Sequence, residues 1–281
     1  MSKQLNSAMV YEAADNKLRR SLWGHIQYAL RYWPFFLYWV RRGIVTRYSQ
    51  TSVGLLWAIL QPVLSSLVYI VVFSFVVRVN TDPVPYPLFV LTSLVLWAYF
   101  QRIVTSSASS ISMSMDIVTK VRFPREFLPL AVVVESWIDL AFGLGIVVIL
   151  FLIYGYPVTE TVLLVPIIFL VETILALGLG FYLAALANTI KDLFQVIGIV
   201  MQLVLYLSPV MYPLNTVPDN IRALYVINPM ATIFAAYQET ILFGRFTVGP
   251  ALLGVGILSV IVLITGYLFF KRMEWRFADT L

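Results

Sequence analysis

The chain has 281 residues, of which 60% are apolar and only 12% are charged. Soluble domains are about 45–50% apolar and about 25% charged, so this chain has too little polar surface for a water-soluble globule, and its mean hydropathy of +0.89 agrees. The absence of cysteine and the single histidine, His25, exclude disulfide frameworks, thiolate metal sites, cysteine nucleophiles and histidine clusters. Composition predicts an integral membrane protein with a net charge of +5 and an aromatic content of 15%, more than lipid contact alone requires.

The N-terminal part of the chain is predicted to lie at the cytoplasmic surface. Residues 1–29 are mostly polar and have no apolar run of the kind that a secretory signal requires, so they are expected to form a tail. In residues 30–52, Arg31 and Arg41 bracket nine uncharged residues rich in aromatic side chains, too few to cross a bilayer as a helix. Such a segment suits the headgroup layer and predicts an interfacial amphipathic helix. The alternative is a juxtamembrane cap that packs on protein.

A membrane-spanning helix needs about 20 mostly apolar residues, and residues 53–271 contain six segments of roughly this kind. The predicted spans are 53–77, 88–110, 125–154, 161–187, 193–209 and 248–270. The predicted fold class is therefore an all-α integral membrane protein with six transmembrane helices, which form one domain at 53–271. A cytoplasmic tail follows at 272–281.

The distribution of basic residues predicts the orientation, because cytoplasmic loops are enriched in Lys and Arg. Fifteen basic residues lie in the N-terminal segment, the loops after spans 2 and 4, and the C-terminal tail. Only Arg78, Arg222 and Arg245 lie on the opposite side, and Arg102 lies within a span. Both termini are therefore predicted to be cytoplasmic.

Residues 209–245, between spans 5 and 6, are predicted to form re-entrant helices on the outer side. Pro209, Pro213, Pro218 and Pro229 interrupt this region, yet it is too apolar for bulk water. Non-helical backbone at membrane depth is tolerated only where protein or a water-filled cavity covers it. A short helix is expected at 230–243. An ordinary external loop is the alternative.

Charged residues inside the spans form the next candidate site. Arg102 lies in span 2, and Glu135 and Asp139 lie four residues apart on one face of span 3. Arg102 and Glu135 are about equally far from the loop that joins these spans, so an intramembrane network that links Arg102 with Glu135 or Asp139 is predicted. A buried charge is costly in a membrane and functional by default. A structural strut is favoured over a proton relay, because no chain of ionisable groups continues from the pair.

No catalytic site is expected on this chain. The sequence has no G-x-x-x-x-G-K-[ST] phosphate loop, and His25 has no serine or carboxylate arrangement that indicates a triad. No metal site, bound cofactor or nucleic-acid partner is expected.

The cytoplasmic segment 112–126, between spans 2 and 3, is predicted to be a short amphipathic connection. Ile117, Val118 and Val121 lie among polar residues, and Pro124 suits the first turn of the next helix. A short segment joined rigidly to two membrane helices can transmit force from a docked partner. The alternative is a plain tight turn.

Two strings are the most specific motifs of the sequence: Phe-Pro-Arg-Glu at 123–126 and Ser-Pro-Val-Met-Tyr-Pro at 208–213. Together with Arg47-Tyr48, Gln61-Pro62 and Asn228-Pro229-Met230, in this order and spacing, they make the chain from about Arg41 onward resemble a known family. The family is the membrane subunits of type-2 ABC exporters for lipid-linked polysaccharides, namely O-antigen, capsule and teichoic-acid permeases. One departure lies at 189–192, where relatives often carry arginine before the aspartate.

The resemblance implies a homodimer of this chain bound to two copies of a nucleotide-binding ATPase subunit. ATP and Mg would be bound by that partner, the substrate would be a lipid-linked polysaccharide, and membrane lipid would surround the chain. The implied localisation is the bacterial cytoplasmic (inner) membrane. Segment 112–126 would be the coupling segment in a groove of the ATPase, with Lys120, Val121, Arg122, Phe123, Pro124, Arg125 and Glu126 as the contact residues.

The resemblance also implies that spans 1 and 5 line a central channel between the two copies. Sugar rings have apolar faces that stack on aromatic rings, which gives the aromatic excess a purpose. The expected channel-lining residues are Trp57, Tyr69, Phe73, Gln202 and Tyr206. The alternative for each aromatic residue is packing or an interface belt. The external gate would be formed by Ser208, Pro209, Tyr212, Pro213, Asn228 and Pro229.

The predicted function is a channel-forming permease subunit that exports lipid-linked polysaccharide, driven by ATP hydrolysis on separate subunits. The first alternative is an ABC exporter permease for a drug or small lipid. The second is a membrane-embedded glycan-modifying enzyme, which would need an acid/base constellation. A third, an ion-coupled transporter, would need an ionisable site at the membrane midplane.

Overall fold

The structure is a computed structural model that describes residues 30–49, 54–121, 123–187, 189–190, 192–218, 220, 225 and 227–274. These residues are mostly helical, and they contain no strand. The helices are α1 Trp33–Ser49, α2 Trp57–Ile70, α3 Tyr86–Ser110, α4 Met115–Val118, α5 Phe127–Tyr154, α6 Val165–Ala187, α7 Leu193–Tyr206, α8 Pro229–Ile241 and α9 Gly249–Met273. Short 3-10 turns precede α2, α4 and α6 at Gly54–Leu56, Ser112–Ser114 and Glu160–Leu164, and a π-helical segment, Val71–Val76, continues α2.

Four helices are long and apolar enough to cross a membrane: α3, α5, α6 with its preceding 3-10 turn, and α9. They correspond to predicted spans 2, 3, 4 and 6. These four predictions are confirmed as apolar helices of spanning length.

At predicted spans 1 and 5 the regular α-helices are shorter, since α2 and α7 have 14 residues each. The helical run from Gly54 to Val76 is continuous, but it contains Pro62 and changes from 3-10 to α to π geometry along its length. Helix α7 has 14 residues, which gives about 21 Å of rise against a bilayer core of about 30 Å. It ends at Tyr206, earlier than predicted, because the following residues turn and the Tyr212 hydroxyl donates to the Tyr206 carbonyl oxygen at 2.7 Å. Six spans therefore stay a prediction.

Helix α3 forms the centre of the core. Leu88, Phe89 and Ile103 on this helix are fully buried, and α3 packs against both α5 and α6. Helix α6 also packs closely on α9. A Cβ atom at Gly178 of α6 would lie 2.7 Å from the backbone nitrogen of Leu263, so a glycine is needed for the two backbones to approach.

Helix α1 packs one face on α5 and exposes the other. Phe36 and Val40 are buried, and the Phe36 ring lies 5.1 Å from the ring of Phe127. Leu37 and Tyr38 on the opposite side are exposed. The helix therefore has the protein contact of a cap and also the exposed aromatic face that suits a headgroup layer. Its placement at the interface stays a prediction.

The segments between the long helices contain short helical pieces. Segment 112–126 contains the 3-10 turn Ser112–Ser114 and α4. Region 209–245 contains α8, which is capped by the Asn228 side chain accepting from Met230 N at 3.0 Å, with Pro229 in the first turn. Whether this region re-enters the membrane stays a prediction, and the tails at 1–29 and 275–281 lie outside the described residues.

The predicted orientation can be tested by cysteine labelling, since the chain has no native cysteine. Val158, in the loop after α5, and Met113, in segment 112–126, are both exposed. A membrane-impermeant maleimide is expected to label Val158→Cys in intact spheroplasts, and Met113→Cys only after permeabilisation. The opposite pattern would contradict the orientation.

Candidate functional site

The carboxylate of Asp139, on α5, joins three elements of the structure. One oxygen, Oδ2, forms ion pairs with Arg102 of α3 and with Arg47 of α1, the latter at 3.2 Å. The other oxygen, Oδ1, accepts a hydrogen bond from the Tyr48 hydroxyl. The Arg102 side chain is only 12% exposed, and its Nε atom is buried with no hydrogen-bond partner among the described residues. Two guanidinium groups therefore share one carboxylate oxygen.

Of the two acidic partners that the sequence offered to Arg102, the structure places Asp139 in the ion pair. Glu135 lies one turn away on α5 and faces α1 instead. Its carboxylate occupies the space that a side chain at Gly43 would need, which explains the glycine at this point of an aromatic helix.

A cavity of about 410 Å³ lies beside this ion pair, between α1, α2, α3 and α5. We call it the Asp139 cavity and define it by six of its lining residues: Arg47, Tyr48, Trp57, Tyr69, Arg102 and Asp139. Trp57 and Tyr69 were predicted to line a channel, whereas Arg102 and Asp139 were predicted to form a charge network. The structure brings these two groups of residues together in one cavity.

The other predicted channel residues lie outside the lining of the Asp139 cavity. The Phe73 ring is 6.4 Å from Tyr69 and 6.4 Å from Tyr86, so an aromatic row runs from α2 through the π-helical segment to the start of α3. Tyr206, on α7, is exposed and lies within electrostatic reach of Tyr69. Gln202 lies about one turn earlier on α7 and is exposed. The channel-lining role of these residues stays a prediction.

The Phe-Pro-Arg-Glu motif is anchored on two sides. The Phe123 ring is buried and lies 4.6 Å from the Phe35 ring of α1. The Glu126 carboxylate pairs with Lys271 of α9 at 2.6 Å, and Arg125 Nη1 donates to the carbonyl oxygen of Glu274 at 2.5 Å. The motif therefore connects α1 to the C-terminal end of α9.

The surface of segment 112–126 is formed by other residues than the anchors. Met113 is 83% exposed and Val121 is 47% exposed, and the charged residues Asp116 and Lys120 are exposed beside them. Phe123 and Pro124 are buried, so they position the segment from beneath. Arg122 lies outside the described residues. The contact with an ATPase stays a prediction.

The predicted gate residues meet at the C-terminal end of α7. Asn228 Nδ2 donates to the Leu207 carbonyl oxygen and to Ser208 Oγ, each at 3.0 Å. Gln238 of α8 donates to the carbonyl oxygen of Pro209. Ser208, Pro209 and Pro213 are buried, while Tyr212, Asn228 and Pro229 are partly buried. The turn after α7 is thus held against α8 by side-chain amides, and its gating role stays a prediction.

Three polar contacts of the structure were not predicted from the sequence. Arg47 and Tyr48 are far from Asp139 in sequence, and only the packing of α1 on α5 brings them to its carboxylate. The buried Glu172 of α6 accepts a hydrogen bond from Tyr237 of α8 at 2.7 Å. A charge inside a predicted span is a signal that such a partner exists, but it does not identify the partner. Among the described residues, no group of three or more acidic or histidine side chains could hold a metal ion.

The features above define a class: a helical, multi-pass membrane protein in which segment 112–126 is tied to the long apolar helices. The family model of the ABC-2 type transporter matches residues 35–242. The chain belongs to this family, which confirms the type-2 ABC family named from its motifs.

The similar proteins include two O-antigen export permeases and one polysialic acid transporter. The chain is 33% identical over 244 residues to the O-antigen export system permease protein RfbA of Myxococcus xanthus, covering 86% of this chain and 93% of that protein. It is 25% identical to the protein of the same name from Klebsiella pneumoniae, covering 85% and 92%. It is 21% identical to the polysialic acid transport protein KpsM of Escherichia coli, covering 83% and 91%.

The arrangement around Asp139 predicts how its variants affect stability. Asp139→Asn leaves Arg102 buried without a counter-ion, whereas Arg102→Gln leaves Asp139 with Arg47 and Tyr48. We expect Asp139→Asn to cost about 3 kcal/mol, the lower end for breaking a buried pair, because Asp139 is partly exposed. We expect the Arg102→Gln/Asp139→Asn double variant to cost less than Asp139→Asn. Thermal unfolding of the purified protein in detergent measures both, and a double variant as unstable as Asp139→Asn would contradict the pairing.

Proposed function

We propose that the chain is the channel-forming permease subunit of an exporter that moves lipid-linked polysaccharide across the bacterial inner membrane. ATP hydrolysis on separate partner subunits drives the movement. The observation that carries the proposal is the similarity over most of the chain to proteins named as O-antigen export permeases. Polysaccharide is also the substrate class in the name of the KpsM relative.

The proposed link to the ATPase is segment 112–126. Its exposed surface combines the apolar side chains Met113 and Val121 with the charges of Asp116 and Lys120, which suits docking into a groove of a partner protein. Its anchors run to α1 through Phe123 and to α9 through Glu126. A push on this segment therefore reaches two membrane-associated helices. ATP and Mg are bound by the partner.

The proposed channel lies between two copies of the chain. Helices α2 and α7 expose apolar residues, among them Leu64 and Val68 on α2 and Ile199 and Leu203 on α7. In a homodimer, parts of these faces border a shared path, and Tyr69, Phe73 and Tyr206 present aromatic rings to passing sugars. Aromatic rings combine a large apolar face with, in tyrosine, a polar group at the edge. Such a surface tolerates many sugars without binding one tightly.

The orientation in the proposed complex places both termini and segment 112–126 in the cytoplasm, where ATP is available. Region 209–245 is then on the outer side. The amides of Asn228 and Gln238 hold the turn after α7 there, so a change in this turn opens or closes the exit.

Depletion of the chain in its native cell tests the proposed function. We expect long lipid-linked glycans to accumulate on the cytoplasmic side of the inner membrane, measured by extraction and chromatography of the glycolipids. Re-expression of the chain is the control and restores export. Unchanged glycans together with altered drug sensitivity would contradict polysaccharide export and favour a drug or small-lipid exporter.

The aromatic surface is tested by the triple variant Tyr69→Ala, Phe73→Ala and Tyr206→Ala. If each ring contributes about 0.5 kcal/mol of contact, export falls about tenfold. Tyr154→Ala is the matched control, because Tyr154 is an exposed aromatic residue at the end of α5, outside α2 and α7. Copurification with the ATPase shows whether the complex assembles. Full export by an assembled triple variant would contradict the lining role.

A further inference from the structure

The side chains of Arg47, Tyr48 and Arg102 bring more hydrogen-bond donors to the Asp139 cavity than the Asp139 carboxylate can accept. Arg102 has five N–H donors, yet its ion pair is with Asp139 alone, and its Nε atom is buried without a hydrogen-bond partner in the described part of the chain. Arg47 uses the same Asp139 oxygen, and it is also within electrostatic reach of Glu135. Tyr48 already donates to the second oxygen of Asp139. The cavity therefore suits a ligand that is anionic and rich in oxygen acceptors.

The arginine side of the cavity lies toward the end of α3 that is predicted to be cytoplasmic. Arg102 lies about two turns before Ser110, where α3 ends on the predicted cytoplasmic side. Arg47 lies near the end of α1, the predicted interfacial helix, and its side chain is 41% exposed. A phosphate that enters at this level reaches Arg47 first and Arg102 beyond it.

The mouth of the cavity opens beside an apolar surface. Trp57 and Gln61, which line the cavity, are exposed one turn apart on α2. Leu60, Leu64 and Leu67 are exposed next to them and continue along the same helix. An aliphatic chain can lie on this stripe while its polar end enters the cavity, which favours a lipid phosphate over a soluble one.

We propose that the Asp139 cavity binds the phosphate group of a membrane lipid, with Arg47 and Arg102 as its ligands. The phosphate oxygens replace the Asp139 carboxylate as the partner of the two guanidinium groups, which bind phosphate through planar, charge-assisted hydrogen bonds. At about 410 Å³ the cavity is within the usual range of small-molecule sites. The inference depends on the proposed function only for the identity of the lipid, a polyprenyl pyrophosphate.

The test uses the full chain in phosphatidylcholine nanodiscs, with polyprenyl pyrophosphate without sugars as the probe. We compare wild type, Asp139→Asn, and the Arg102→Gln/Asp139→Asn double variant, with Arg245→Gln as control because Arg245 is an exposed arginine on the outer side. Binding is expected to fall about tenfold or more in the double variant, as loss of charged hydrogen bonds gives, and to stay unchanged in Arg245→Gln. Asp139→Asn is expected to bind at least as tightly as wild type, because the competing carboxylate is gone.

The melting temperature provides a second readout. If the ion pair were purely structural, added lipid would not change this temperature. The lipid is expected to raise the melting temperature of Asp139→Asn more than that of wild type, because its phosphate supplies the missing anion. Equal binding by the double variant, or loss of binding and of this stabilisation in Asp139→Asn, would overturn the proposal.

Two further probes identify the source of the phosphate. If phosphatidylglycerol competes with equal affinity and its binding depends on Arg102, the site is supported and its occupant is bulk phospholipid. Binding of inorganic pyrophosphate at equal affinity would overturn the lipid assignment. Normal lipid binding in nanodiscs, together with unchanged glycans after depletion in the cell, would refute the proposed function and leave this site intact. Normal lipid binding by the double variant, together with glycan accumulation after depletion, would refute this site and leave the proposed function intact.

Discussion

The ion pairs of Asp139 are the constraint on which the arrangement of α1, α3 and α5 depends. A single charged residue in the middle of a membrane helix costs about 2.5–3.5 kcal/mol on insertion scales, so Arg102 and Asp139 are tolerable only when they face each other. Their meeting fixes the rotation and depth of α3 against α5. Arg47 adds α1 to the same carboxylate, so one acidic group holds α1 to α3 and α5.

Helix α1 also connects this polar centre to segment 112–126. The Phe35 ring of α1 contacts Phe123, and the motif that begins at Phe123 is tied to α9 through Glu126 and Lys271. A displacement of segment 112–126 is therefore shared by α1 and α9, and α1 carries it to Asp139. In the proposed mechanism, this path links ATP-driven movement of the partner to the cavity and to α2, which borders the channel.

The sequence predicted the long helices well and the contacts between distant segments poorly. Composition and length are enough to locate α3, α5, α6 and α9, because a continuous apolar run has few other structures in a membrane. Helix α7 ends early because the Tyr212 hydroxyl and the Asn228 amide hold the turn that follows it. Neither bond is visible from hydrophobic periodicity.

The candidate site shows the same limit. The spacing of Glu135 and Asp139 identified a polar face of α5, but it did not decide which of the two carboxylates pairs with Arg102. The choice between them depends on α1, which fills the space beside Glu135 with the backbone at Gly43 and brings Arg47 to Asp139. The close approach of α1 and α5 depends on packing such as Phe36 against Phe127, and a single sequence carries no direct signal of such a tertiary contact.

The most direct measurement of the central claim is transport by the purified complex in proteoliposomes. The chain is reconstituted with and without its ATPase subunit, and a fluorescent lipid-linked glycan is followed from one leaflet to the other with and without ATP. The account predicts movement only when both subunits and ATP are present, and none with a hydrolysis-deficient ATPase. Movement by this chain alone, or ATP hydrolysis by the assembled complex with no movement of any lipid-linked glycan, would contradict it.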